Sequence, residues 1–284
     1  MVFLEFNDVT FTYPPIEGDL DENGKQRISE PVFEHFSGQL PGGCFVSLVG
    51  QNGCGKSTLL MLASGRILPD SGSISFLGKN PAILSEEQKN LLASVIYQNM
   101  EFESDEPVKN LLAQVYANGS YKAKACAIQN NQKDLLAEVI EVFELSSILE
   151  HGLSKLSKGE LQRVILAFSL LYGSAAVFMD EPMFAMEEKQ KESALTYLKE
   201  FIKATGTTIY CSMHELDLTK KFADQVILFY PGRNMAVGTV QEVLTDQDLE
   251  KAYNIPAAML KNKESLTREQ LTQIAQQYSK QGSL

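Results

Sequence analysis

Residues 50–58 read Gly50-Gln51-Asn52-Gly53-Cys54-Gly55-Lys56-Ser57-Thr58. The spacing is that of a glycine loop ending in Lys-Ser, G-x-x-x-x-G-K-[ST]. Glycines let backbone N–H groups converge on phosphate oxygens, and a following helix adds the partial positive charge of its N-terminus. Lys56 is placed to reach β- and γ-phosphates, and the Ser57 hydroxyl sits where Mg²⁺ needs an oxygen. A second group follows the apolar run Ala175-Ala176-Val177-Phe178-Met179, which ends in Asp180-Glu181-Pro182. An aspartate there can hold Mg²⁺, usually through water, and the adjacent glutamate can polarise a water for attack on a γ-phosphate. Alone, such a run is equally a helix start; paired with the glycine loop it reads as the catalytic partner. A third group is Leu156-Ser157-Lys158-Gly159-Glu160-Leu161-Gln162-Arg163. Ser157 with Glu160 three residues on is a capping box, and Ser and Gly at a helix N-terminus also form an anion site.

These groups need elements to hold them. Cys44–Val49 is a short buried-strand pattern before the loop, and Leu59–Ala63 continues as a helix after it. Further strands are expected at 175–179, 207–211 and 225–229, with an amphipathic helix over 187–203 closed by Gly206. Near the start, Phe3–Phe6 and Val9–Tyr13 read as two strands with a turn at Asn7-Asp8. Residues 14–31 are polar and acidic, an exposed loop, and Pro31–Leu40 is expected as a strand before a turn at Pro41-Gly42-Gly43. From Glu101 to Leu171 the spacing turns helical, clearest at Asn110–Tyr116 and Asp134–Phe143, with 118–132 polar and ambiguous. The reading is α/β: a phosphate-loop core, an N-terminal antiparallel β portion and a helical insert over about 99–171. Residues 1–256 are taken as one domain and 257–284 as a polar tail, with helical spacing at Thr267–Gln277.

A net charge of −11 argues against a general nucleic-acid surface. No run approaches the length of a membrane span, and the N-terminus lacks the basic region and cleavage site of a secretory signal. Cys44, Cys54, Cys126 and Cys211 form no C-x-x-C pair, so reduced thiols are expected. Cys54 leaves two options open. The loop's N–H groups and Lys56 could stabilise a reactive thiolate, or the residue could be an inert small filler.

Residues 156–163 resemble the LSGGQxQR signature of ATP-binding cassette (ABC) ATPases, the nucleotide-binding subunits of ABC transporters. The resemblance spans about residues 3–255, with the motifs in the family's order and at its spacing. It implies ATP and Mg²⁺ as cofactors, the ABC type of P-loop NTPase fold, and two subunits stacked head to tail. Each signature, through Ser157 and Gly159, would cover ATP held by the other subunit's loop. It further implies that Tyr13 stacks on adenine, that Gln98 is the glutamine joining core and insert near the metal, and that His214 is the switch histidine. The resemblance also implies a homodimer at the cytoplasmic face of the membrane, peripheral to a transmembrane permease that it powers. No nucleic acid is expected as a partner. Val243-Leu244-Thr245 with the segment to Pro256 is similar to metal-chelate and vitamin importers, which favours import and a substrate-binding protein as a further partner. The alternative is a soluble ABC ATPase of DNA repair or translation, whose relatives carry paired cassettes, cluster cysteines or basic arms. Three features depart from the family pattern: Lys158 for Gly, Glu187 for the usual aspartate after Phe184-Ala185-Met186, and the long loop 14–31.

Overall fold

The structure is a computed structural model and describes residues 2–18, 24, 29–98, 100, 102, 104–119 and 134–256. Cys126, the expected tail 257–284 with its helical stretch, half of the acidic loop and most of 118–132 lie outside the described residues.

Two sheets organise the chain. The smaller runs β2–β1–β4, from β1 (Val2–Phe11), β2 (Phe33–Pro41) and β4 (Ser71–Phe76), all antiparallel. The larger has the order β5–β6–β7–β3–β8–β9. It is built from β3 (Phe45–Val49), β5 (Ala93–Ile96), β6 (Ala176–Asp180), β7 (Thr208–Ser212), β8 (Gln225–Phe229) and β9 (Met235–Gly238). Every pairing in it is parallel except β8 with β9. The central strands read as apolar runs because both faces are covered, one by helices and the other by the helix Lys56–Ala63 with the smaller sheet, which leaves no solvent side to select polar residues. β3 and β7 are buried at every position.

The N-terminal reading needs one correction. Phe3–Phe6 and Val9–Phe11 are not two strands joined by a turn but parts of the single strand β1. Asp8 takes a left-handed φ of 52° where the pairing register slips, a bulge that sends Val9 and Phe11 back to the core. The Asp8 N–H donates to Ser37 Oγ at 2.9 Å, and its carboxylate pairs with His35.

One core lies between the two sheets, where α1 (Lys56–Ala63) brings Leu59, Leu60 and Leu62 against Phe6, Phe76 and Phe178. The opposite face of the large sheet carries α3 (Val108–Asn118), α4 (Leu135–Val142), α5 (Lys158–Tyr172) and α6 (Glu188–Thr205), after the peripheral α2 (Glu86–Leu92). α6 ends where Gly206 adopts φ 71°, the left-handed stop expected of a glycine cap. Beyond α7 (Leu216–Phe222), the short α8 (Val240–Val243) and α9 (Asp246–Tyr253) pack Leu249 and Tyr253 near Val49, Val226 and Leu228. The last residues of β3 are therefore gripped from the chain's far end. Among the described residues, no helix is long and apolar enough to cross a membrane.

Candidate functional site

Parallel strands present their carboxyl ends to one edge, where α/β sheets bind ligands. Across that edge, strand order sets out the site in sequence: Gln98 just past β5, Asp180 and Glu181 at the end of β6, Ser212 and His214 at β7, then the glycine loop after β3.

The glycine loop leads into α1 through Gly55, whose φ of 107° is open to glycine and strained for other residues. α1 begins with no side-chain cap and no acidic residue in its first turn. By contrast, α2, α5 and α8 each start with a capping box. Uncapped N–H groups beside a lysine make an anion seat. Lys56 is buried, and its Nζ donates to the Gly50 and Gln51 carbonyls at 2.8 Å each. Asn52 and Gly53 are exposed at the loop tip, and Ser57 is half-buried on the first turn of α1. Thr58 is buried, and its Oγ1 lies 3.2 Å from the Tyr13 hydroxyl. The Tyr13 ring, edge-on to Phe11, stands half open beside the loop.

The carboxylates form a linked set. Glu181 is 8% exposed, and its backbone is left-handed at φ 49°. Its Oε2 accepts from Gln98 Nε2 at 2.7 Å, and its Oε1 lies 2.6 Å from His214 Nε2. The Glu181 N–H donates to Ser212 Oγ at 2.9 Å, and Ser212 donates to Asp180 Oδ1 at 2.6 Å. So the structure brings Gln98, Asp180, Glu181 and His214 together and adds Ser212, which sequence reasoning missed. Only strand register could have signalled Ser212, since a serine at the end of an apolar strand carries no motif.

The site's donor set suits Mg²⁺ held with phosphate rather than a metal alone. Asp180 supplies a carboxylate, Ser57 a hydroxyl and Gln98 an amide, all hard ligands of the kind Mg²⁺ takes beside phosphate oxygens. Among the described residues, no cluster of three or more His, Cys, Asp or Glu could form a metal cage.

Ser157 and Gly159 stand apart from this set. Ser157 caps α5, accepting from the Glu160 N–H at 3.3 Å while its own N–H and hydroxyl donate to Glu160 Oε2 at 2.8 and 2.7 Å. These bonds hold the Glu160 carboxyl below its usual range. Gly159 abuts Ala185, whose carbonyl oxygen lies 2.7 Å from where a Cβ would sit, so any side chain there must displace backbone. Gln162 accepts from the Ala185 N–H at 2.8 Å. The 156–163 segment is thereby fastened to the loop carrying Phe184, which is 64% exposed, and Glu187, which caps α6.

The surroundings of Cys54 favour the inert-filler option. Burial pushes its thiol up, and the opposing pull of Lys56, whose Nζ lies 3.9 Å from Sγ, is the smaller effect. Cys44 is pushed up to about 11 and Cys211 further, both chiefly by burial. The thiolate is the nucleophile, so brief maleimide treatment at neutral pH should leave Cys54 largely unmodified while the denatured chain labels fully. Mass mapping checks this, and rapid native labelling of Cys54 would favour the thiolate option instead.

Comparison with known proteins places this geometry. A family model described as ABC transporter matches residues 33–184. The hemin import ATP-binding protein HmuV of Escherichia coli is 28% identical over 237 residues, 81% of this chain and 89% of that protein. The phosphonates import ATP-binding protein PhnC of Treponema denticola is 25% identical over 255 residues, 88% of this chain and 94% of that protein. Among solved structures, an ATP binding subunit of an ABC transporter has a TM-score of 0.68 at 20% identity, covering 93% of this chain and 100% of that one. An ATP-binding cassette dimer in a post-hydrolysis state, bound to ADP and Pi, has a TM-score of 0.66 at 18% identity, covering 84% of this chain and 98% of that one. At these identities the solved structures show the shared fold.

Proposed function

The chain belongs to the ABC transporter family, and from that premise we propose that it binds and hydrolyses Mg-ATP to power a separate permease, import being favoured. The observation that carries the reading is the row of groups along the sheet edge, from Gln98 through Glu181 and His214 to Lys56. Lys56, the loop N–H groups and Thr58 take the phosphates, and Tyr13 takes the base. Asp180, Ser57 and Gln98 hold the metal, which when bound offsets phosphate charge. Glu181 polarises the attacking water, and His214 orients that carboxylate. Residues 1–256 act as one ATPase domain, with a helical part at about 99–171. Hemin and phosphonate import by the two named relatives supports import here, with a substrate-binding protein upstream and the permease's cytoplasmic face as the docking place.

Phosphate release by the purified chain tests the enzyme. Turnover should require Mg²⁺ and vanish with a chelator; equal rates in both conditions would sink the reading.

Dimerisation places Ser157 and Gly159 over the partner subunit's nucleotide. Ser157→Arg and Lys56→Ala chains should each be inactive alone. Mixed, they form a dimer with one doubly damaged site and one intact site, so activity should return. Ser157→Arg alone should still bind ATP, because its own loop is untouched. Failure of that variant to bind ATP as a monomer would overturn action in trans.

A further inference from the structure

We propose that Ser212 is a positioning residue for ATP hydrolysis, its single hydroxyl fixing both the Asp180 carboxylate and the peptide that turns Glu181 into the site. This rests on the ATPase reading and adds a residue that no motif of that reading contains.

The bonding leaves one assignment of protons. A backbone N–H only donates, so Ser212 Oγ accepts from Glu181 at 2.9 Å. An ionised carboxylate only accepts, so the hydroxyl's one proton goes to Asp180 Oδ1, 2.6 Å away. Strand register makes this possible, because Ser212 on β7 lies directly opposite Asp180 on β6. Ser212 is 1% exposed, so water does not readily substitute for either bond.

Both bonds act on the reacting groups. Glu181 sits in a left-handed conformation, which persists in a residue with a Cβ only where its surroundings over-determine it. Ser212 supplies that restraint at the backbone, while Gln98 and His214 hold the far end of the side chain. Tying Oδ1 fixes the rotation of the Asp180 carboxylate, so the group meets a metal's water in one orientation rather than several. A serine kept only as a small core residue would need neither bond.

Three substitutions separate positioning from packing. Ser212→Ala should lower kcat by about 10- to 100-fold, the effect of losing a buried bond to a charged group. Binding supplies a readout independent of turnover. Mg-ATP should raise the wild-type melting temperature more than ATP with chelator does. Ser212→Ala should lose that metal-dependent increment while keeping the metal-free one. Ser212→Thr, which keeps the hydroxyl on a strand-compatible residue, should restore most of kcat. If Ser212→Ala does not fold, Ser212→Cys keeps the size with a weaker donor and carries the same expectations. Wild-type kcat with an intact metal increment in Ser212→Ala would overturn the proposal, as would equal impairment of the Ala and Thr variants. Those results leave wild-type turnover in place; a wild-type chain with neither turnover nor any ATP-induced shift would instead remove the ATPase reading itself.

Discussion

Glu181→Gln should retain ATP affinity and lose turnover by about two to four orders of magnitude, the range for removing a general base. The carboxylate is gripped from both sides, by Gln98 at 2.7 Å and by His214 at 2.6 Å. An amide of the same shape can occupy the place but cannot take a proton from water. One consequence is local: the new amide must turn its oxygen toward Gln98 Nε2 to avoid two donors facing each other. ATP affinity should survive because the amide matches the carboxylate in shape and leaves Lys56 and the glycine loop N–H groups in place. With hydrolysis stopped and binding intact, the ATP-bound dimer should accumulate on gel filtration. Turnover like that of the wild type would remove Glu181 from its role, and loss of ATP binding would make it a binding residue.

Lys56→Ala should fail at the earlier step, weakening Mg-ATP binding about 100-fold or more, since a charge-assisted bond to phosphate is among the strongest a side chain makes. Its Nζ donates to the carbonyls of Gly50 and Gln51 at 2.8 Å each, so the ammonium also holds the loop in shape before any phosphate arrives. Alanine removes both the cation and this internal tie. Isothermal titration with Mg-ATP distinguishes the two variants cleanly: affinity falls for Lys56→Ala and holds for Glu181→Gln. An unchanged affinity in Lys56→Ala would contradict the assignment of the loop lysine to phosphate.

Much of the core was legible because buried parallel strands are short apolar runs with punctuation at both ends. β8 falls on the expected residues, and β6 and β7 start and end one residue later. β1 misled because Asp8, a turn former, sits in a bulge, and only the partner strands show that the ladder resumes. β4 and α2 were passed over for opposite reasons. The strand Ser71–Phe76 begins with three exposed small residues, and α2 buries none of its residues, so neither shows a hydrophobic period. The motif residues were readable from spacing, yet their pairing was not: nothing in the string joins Gln98 to Glu181 across 83 positions. Cys54 stayed open between two options because the sequence shows Lys56 nearby but not the apolar packing around the thiol.

The left-handed backbone at Glu181 sets selection for stability against selection for activity at one position. For a residue with a Cβ that conformation is disfavoured by roughly 1–2 kcal/mol, while glycine adopts it freely and asparagine nearly so. A library screened only for heat resistance would therefore tend to collect small, catalytically dead residues here. Raising the durability of this chain without silencing it means working elsewhere, and leaving this bend as tense as it is.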